Sequence, residues 1–270
     1  FIVFTLLATF IPKPFTITML DVGQGDSIVG INKDGVFLID GGGSNTFNTG
    51  ESVVLPYLKS KGIQTIDFVF VSHNDTDHIK GIIEIVDKIK IKNLFLPINN
   101  STDENYETLL TKAKAENIPI HFVKSGDKLN LGKDLSFGIL HPNINFLNNE
   151  DNNNSIVLKL TYKNNSMLFT GDVEKEGENF MLDNNLDLLA DILKVSHHGS
   201  KTSSTQNFID SVKPKDALIS CKENNKYNHP SEETLKTLNE NNINIYRTDK
   251  NKAITIKFYK DTYKIKTLQK

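Results

Sequence analysis

Four side chains able to hold a cation fall within six positions of this chain, in the run His73-Asn74-Asp75-Thr76-Asp77-His78. An apolar stretch, Phe68-Val69-Phe70-Val71, leads straight into it, and a helical pattern is expected from residue 79. On a loop between strand and helix, His73 and Asp75 can face one side while Asp77 and His78 face the other. Such a loop could hold two cations a few ångströms apart, the arrangement with which two-metal hydrolases activate a water and stabilise a leaving oxygen. The plainer reading is a solvated turn in which Asp77 caps the following helix. A capping turn has no need of two imidazoles, so the metal reading is preferred.

Two later segments also end an apolar strand in a ligand. Met167-Leu168-Phe169-Thr170-Gly171-Asp172 delivers a carboxylate, with Gly171 permitting close backbone approach. Asp191-Ile192-Leu193-Lys194-Val195-Ser196-His197-His198-Gly199-Ser200 delivers paired histidines in a chain with only seven. Neighbours on a strand point to opposite faces, so one imidazole could bind metal and the other face substrate.

Around these, single residues carry weaker signals. His229, in Tyr227-Asn228-His229-Pro230-Ser231, is a candidate substrate or metal-shell contact, or else part of a plain surface loop with Pro230 at a helix start. Ser200, Thr202, Ser203 and Ser204 lie where another helix is expected to begin, so hydroxyls and free amides there could bind phosphate. Ordinary capping accounts for one or two of them. Asp40, before Gly41-Gly42-Gly43, could orient a metal-binding imidazole, or simply turn the chain. The triple glycine lacks the G-x-G-x-x-G spacing, and no dinucleotide cofactor is expected. His121 and His141 stand apart from any cluster and read as structural. Lys194, Lys201, Lys222 and Lys226 could form a basic rim near the paired histidines, although solvated surface lysines are the default.

Positioning such groups takes an alternation of strands and helices. Short strands are expected at residues 15–20, 27–31 and 36–39, a helix at 51–61 and a strand at 68–71. Helix 79–90, strand 93–96, helix 104–116 and strand 120–123 follow. The second half opens with strand 135–140 and a hairpin whose arms, 156–162 and 167–170, turn at Asn164-Asn165. Helix 175–182, strand 191–195, helix 203–212, strand 217–220, helix 231–241 and strands 243–246 and 253–259 complete it. Two mixed halves of similar length suggest an α/β architecture of two packed sheets with helices outside.

Composition sets outer bounds. A chain of 270 residues at 38% hydrophobic can bury a substantial core, and a net charge of -2 argues against tight duplex binding by broad charge neutralisation. Cys221 is the lone cysteine, which excludes an internal disulfide and a cysteine-built zinc site. The apolar run 1–11 is too short to span a bilayer, which takes about 20 residues. It reads as the tail of a preceding membrane helix, with Pro12 and Pro14 marking the exit; a first core strand is the alternative. Residues 1–14 are thus a tail or linker and 15–270 the folded domain.

Taken together, the motifs resemble a known family. His73-Asn74-Asp75-Thr76-Asp77-His78 resembles the metallo-β-lactamase superfamily signature, H-x-H-x-D-H. Asp21-Val22-Gly23-Gln24-Gly25-Asp26-Ser27, Ile39-Asp40-Gly41-Gly42, Gly171-Asp172 and His197-His198-Gly199-Ser200 narrow the resemblance to the hydrolase domain of ComEC-type competence channel proteins and related phosphorylcholine esterases. The resemblance implies an αββα sandwich of two mixed sheets, two divalent metal ions (Mn²⁺ or Zn²⁺) and hydrolysis of a phosphoester.

Residue by residue, the resemblance implies that His73 and Asp75 hold the first metal, Asp77 and His78 the second, that Asp172 bridges them, and that His198 completes the second site. His197 then faces the scissile phosphate, so Asp77, Asp172 and His197 form the expected catalytic set. Gln24 and Asp26 are placed near the site as substrate contacts. Asp75 stands where the family has its second His, and an oxygen of Asn154, or water, fills the place of a further expected His. More oxygen ligands favour Mn²⁺ over an all-imidazole site.

Three functions follow from the resemblance and the composition. The first is a nuclease degrading single-stranded DNA beside a competence uptake channel carried by the same parent chain, on the extracytoplasmic face of the membrane. The second is a small-molecule or cell-wall phosphoesterase, and the third a non-catalytic docking domain of the channel.

Overall fold

The computed structural model describes residues 14–98, 103–147 and 151–269. The apolar opening run 1–11, expected as a membrane-helix tail, lies outside these residues. Among the described residues no helix is long and apolar enough to cross a membrane.

The strands are β1 (Thr16–Met19), β2 (Ile28–Asn32), β3 (Gly35–Ile39), β4 (Thr65–Ile66), β5 (Phe68–Phe70), β6 (Lys90–Ile91), β7 (Leu94–Pro97) and β8 (Ile120–Val123). They continue with β9 (Lys128–Asn130), β10 (Leu135–His141), β11 (Val157–Tyr162), β12 (Asn165–Phe169), β13 (Ile192–Lys194), β14 (Asp216–Ile219), β15 (Asn244–Arg247), β16 (Ile254–Phe258) and β17 (Tyr263–Thr267). One sheet runs β17-β16-β1-β2-β3-β5-β7-β8 and the other β15-β14-β13-β12-β11-β10-β9, with β4 and β6 pairing apart. The helices are α1 (Leu55–Ser60), α2 (Thr76–Ile85), α3 (Glu104–Ala115), α4 (Lys175–Asp183), α5 (Gln206–Val212), α6 (Glu232–Glu240) and the short α7 (Thr248–Asn251).

Strand periodicity assigns the layers. In β1, Ile17 and Met19 face inward with Phe37 and Ile39 of β3, Phe70 of β5, Leu158 and Leu160 of β11 and Phe169 of β12, forming the core between the sheets. The opposite parity, Leu20, Val29, Leu38 and Val69, packs outward on α1, α2 and α3. Leu168, Leu193 and Ala217 pack outward on α4, α5 and α6. Helices α1–α6 each bury apolar side chains on one sheet face, and the result is the expected αββα sandwich.

Several boundaries differ from expectation. The helix expected from residue 79 starts at Thr76, so Asp77 and His78 lie in its first turn rather than on the loop. Its N-cap, Asp75, makes no side-chain capping bond, which leaves that carboxylate available for other work. The helix expected at 51–61 is split into a π turn, Gly50–Val54, followed by α1. The β11–β12 hairpin turns on Lys163-Asn164, with Tyr162 paired to Asn165. Pro230 lies outside α6, whose N-cap is Ser231, its Oγ accepting from Thr234 N at 3.1 Å. Nor do the sheets divide at mid-chain: β16 and β17 cross back to pair beside β1.

Candidate metal centre

The site is built where strands from both sheets end. Asp40, just past β3 and with φ 56, reaches to the turn after β5. Its Oδ1 accepts from Ser72 N and its Oδ2 from Ser72 Oγ, both at 2.7 Å. Oδ2 also accepts from His78 Nδ1 at 2.9 Å. An ionised carboxylate only accepts, so this ring carries a proton on Nδ1 and turns Nε2 to the middle of the site. His198 is oriented likewise, its Nδ1 donating to the Ser220 carbonyl at 2.9 Å.

The two Nε2 atoms stand 3.3 Å apart. Asp172 Oδ2 is 3.3 Å from each, and Asp77 Oδ2 is 3.3 Å from His198 Nε2. Lone-pair atoms at this spacing repel one another unless a proton or a metal ion lies among them. Ligands ~2.0–2.1 Å from the centre of a tetrahedron stand about 3.3–3.4 Å from each other, so the His78–His198–Asp172 triangle, with Asp77 beside His198, has the spacing of a divalent-ion site such as that of Zn²⁺. Nitrogen and carboxylate oxygen are also donors that Mn²⁺ and Fe²⁺ accept.

The other expected metal position has fewer protein groups. His73 Nδ1 is 3.0 Å from Ser72 Oγ, while its Nε2 is buried without a hydrogen bond and lies 3.6 Å from Asp75 Oδ2. His73 and Asp75 could therefore hold an ion together. Asn154 is buried at the end of the turn Asp151–Asn154, one residue before Ser155, whose Oγ accepts from Asp172 N at 3.1 Å. Asn74, passed over in the sequence, is also buried, and neither atom of its amide has a hydrogen-bond partner.

Beneath the cluster lies a buried ammonium. Ile192 faces inward, so by strand parity Lys194 does too, and it is 1% exposed. Its Nζ donates to the Gly171 carbonyl at 2.8 Å, pairs closely with Asp26 Oδ2, and lies 3.5 Å from Asp172 Oδ1. The expected place for Lys194 in a basic rim is thus overturned. Asp26 moves as well, from an expected substrate contact to a buried member of the cluster. Asp26, His78, Asp172 and His198 all bring a ligand atom within 4.8 Å of one another. Yet the imidazole atoms nearest Asp26 are the Nδ1 atoms of His78 (4.0 Å) and His198 (3.7 Å), already bonded elsewhere. Asp26 therefore backs the imidazoles instead of facing the ion.

Charge in the cluster is tightly compensated. Burial alone would raise the Asp172 and Asp77 carboxyls, but the neighbouring His198 and His78, and Lys194 for Asp172, hold both well below the ordinary carboxylate range. The neighbouring His73 imidazole lowers Asp75. Burial works against charge on His198, yet Asp172 and Asp77 push it up to about 10, and Asp172 and Asp40 raise His78. Protons and a metal ion thus compete for the same two Nε2 atoms.

At the mouth, His197 and His198 do not alternate on a strand as expected. They form a left-handed pair, with φ 47 and 53, in the turn Ser196–Gly199 after β13. This uncommon backbone aims both rings at the site. His197 is partly exposed, donates from Nδ1 to Glu174 Oε1 at 3.0 Å, and holds Nε2 3.9 Å from Asp172 Oδ2. Glu174, unnoticed in the sequence despite its place two residues past Asp172, also accepts from Thr202 Oγ1 at 2.7 Å. The His229 ring lies 5.4 Å from that of His197 and 6.4 Å from that of His198. Burial, then His197 and His198, push its pKa down to about 4, so it is neutral. Ser200 is buried, its hydroxyl 2.9 Å from Thr202 Oγ1. Gln24 Oε1 accepts from Lys222 N at 3.4 Å and ties the first glycine turn to the 222–232 loop. His121 and His141 lie away from the site, at the Asn93 side chain and the Asn153 carbonyl respectively.

Residues 20–222 match the family described as the metallo-beta-lactamase superfamily. The chain is 37% identical over 256 residues to ComE operon protein 3 of Bacillus subtilis, covering 90% of this chain and 33% of that protein. It is 29% identical over 262 residues to Recombination protein 2 of Haemophilus influenzae, covering 96% of this chain and 31% of the other. With competence protein ComA of Neisseria gonorrhoeae it shares 27% over 243 residues, with coverage of 88% and 31%. The chain thus spans about a third of the length of these relatives.

Two solved structures share the fold. CmlA, a diiron β-hydroxylase from Streptomyces venezuelae, superposes with a TM-score of 0.60 at 11% identity, covering 92% of this chain and 55% of its own. Zn²⁺-bound PqqB from Methylobacterium extorquens gives 0.54 at 8% identity, covering 90% of this chain and 100% of its own. At such identities the likeness is one of fold alone. The sandwich, the ligand cage between its sheets and a family pattern spanning most of the sequence agree, and the chain belongs to the metallo-β-lactamase superfamily.

Proposed function

We propose that the chain is a metal-dependent phosphodiester hydrolase that degrades single-stranded DNA beside a competence DNA-uptake channel. The channel would be carried by another part of the same parent chain, with this domain on the extracytoplasmic face. The observation that carries the hydrolase reading is the cluster in which His78 Nε2, His198 Nε2 and Asp172 Oδ2 stand 3.3 Å from one another, with Asp77 Oδ2 3.3 Å from His198 Nε2. The names of the relatives, two competence-related proteins and a recombination protein among them, support DNA as the substrate.

Bound divalent ions supply Lewis acidity to a phosphoryl oxygen and lower the pKa of a water. The protein's own groups do the rest. His78, His198, Asp77 and Asp172 would hold one ion, and His73 and Asp75 a second. Asp40 and the Ser220 carbonyl fix the tautomers of the two cage imidazoles. His197, with Nδ1 tied to Glu174, keeps Nε2 at the mouth, where as the imidazolium it can give a proton to the departing oxygen and return to the neutral ring.

The test is cleavage of end-labelled single-stranded DNA by the purified protein with Mn²⁺, beside bis(p-nitrophenyl) phosphate and an Asp172→Ala control. Loss of DNA with the wild type and not the variant is the expected result. Turnover of the small diester alone would turn the assignment to a phosphoesterase, and silence with both substrates would leave a docking domain.

A further inference from the structure

A groove of about 750 Å³ lies beside the metal centre, between the 222–232 loop and the turn α7. Lys201, Lys222, Lys250 and Arg247 line it. Of its acids, Asp249 is already paired with Arg247 at 2.7 Å, and Glu223 and Glu232 also line it. Among the described residues Lys201, Lys222 and Lys250 are joined to no carboxylate, and the lining carries four cationic side chains against three acidic ones.

A file of aromatic rings leads from this groove to the cage. Tyr227 is 53% exposed and lies nearly parallel to His229, centroids 5.6 Å apart and planes inclined by 26°. His229 in turn meets His197 edge-on and His198 face-on. The Lys226 ammonium lies 4.8 Å from the Tyr227 ring centre. The loop is held rather than loose. Asn225 Oδ1 accepts from Tyr227 N at 3.1 Å and His229 N at 3.0 Å, and Ser231 N donates to the Gly199 carbonyl at 2.8 Å.

Resting on the phosphodiester reading above, we infer that this groove is the track of a single polynucleotide strand, with one base stacked on Tyr227. Lys201, Lys222 and Lys250 face the phosphates on either side. An exposed aromatic ring backed by a second ring is a stacking platform open to any base, and flanking ammonium groups follow the backbone. A duplex keeps its bases stacked on each other and cannot lay one on Tyr227, so the track selects single strands without selecting sequence.

The experiment is fluorescence anisotropy of a labelled oligothymidylate, and of an abasic strand of equal length, with EDTA-treated protein so that binding is read without cleavage. Tyr227→Ala should weaken oligothymidylate binding roughly 5- to 150-fold, the range of one base–aromatic stack. Tyr227→Phe should restore it, and wild type and Tyr227→Ala should bind the abasic strand alike. Lys222→Ala should reduce the slope of log affinity against log salt by about 0.7. Wild-type protein that cleaves DNA while Tyr227→Ala binds both strands as wild type does would overturn the track and leave the nuclease reading standing. Wild-type protein that hydrolyses the small diester but binds no oligonucleotide would overturn both.

Discussion

Replacing Lys194 by Met keeps the length and apolar stem of the side chain and removes only its charge. In the folded protein that ammonium is the buried counter-ion of Asp26 and lies 3.5 Å from Asp172 Oδ1. Breaking a buried pair by deleting one partner costs about 3–5 kcal/mol, because a desolvated charge is left behind. In a domain of this size each kcal/mol moves Tm by about 2–4 °C, so Lys194→Met should melt roughly 6–20 °C below wild type. The assay is thermal and urea unfolding in EDTA, where no metal ion can stand in for the lost charge. Adding Asp26→Asn removes the orphaned carboxylate, and the double variant should be more stable than Lys194→Met alone. A single variant within about 1 kcal/mol of wild type, well short of the cost of a broken buried pair, would refute the counter-ion role. So would a double variant no more stable than the single.

Three further outcomes are expected. A Cβ at Gly81 would stand 2.0 Å from the Gly41 carbonyl, so Gly81→Ala should push α2, which carries Asp77 and His78, off the sheet and lower bound Mn²⁺. Gly138→Ala, whose nearest atom is 3.9 Å away, should leave metal content unchanged, and equal loss in both variants would count against the close-approach argument. Glu178, buried while accepting from Ser204 N and Thr205 N, has its pKa pushed up by burial from 4.5 to about 7. Its contribution to stability is whole below pH 4.5 and is lost as pH rises through 7, by roughly 3 kcal/mol. A wild-type minus Glu178→Gln difference that does not change over that range would contradict this. Finally, an ion held by Asp77 and His78 from one half and Asp172 and His198 from the other should stabilise the fold by about 2.7 kcal/mol at 100 times its Kd. That increment should vanish in EDTA and in Asp172→Ala, and an Asp172→Ala variant with the full Mn²⁺-induced rise in Tm would remove Asp172 from the ligand set.

The readable part of the site was its ligand types, because imidazoles and carboxylates crowded at strand ends have few other uses. The layers were readable too, since period-2 alternation in segments such as Ile17-Thr18-Met19 marks a strand with two different faces. What escaped was geometry set by tertiary contact. Residues 76–78 join α2 because the Asp75 carbonyl accepts from His78 N and Ile79 N and Gly41 N bonds the His78 carbonyl, neither of which a propensity scale registers. The left-handed backbone of His197 and His198 runs against the preference of non-glycine residues and had no local signal. Lys194 did have one. It shares the parity of Ile192, so an inward ammonium could have been read, but the general rule that lysines lie at the surface prevailed. Strand β17 was overlooked although Tyr263-Lys264-Ile265-Lys266-Thr267 alternates along its length.

The return of β16 to β1 has a kinetic side. The hydroxyls of Thr18 and Thr255 lie 3.1 Å apart across that pairing, yet 237 residues separate them in sequence. The sheet that carries Asp40 and the His73–His78 turn therefore gains its β16 and β17 neighbours only when nearly the whole described chain is available, and closing so long a loop is entropically slow compared with forming a hairpin. Until then the open edge of β1 can pair with a strand of another chain. A ribosome-bound fragment ending before residue 254 would be the species most exposed to such mispairing.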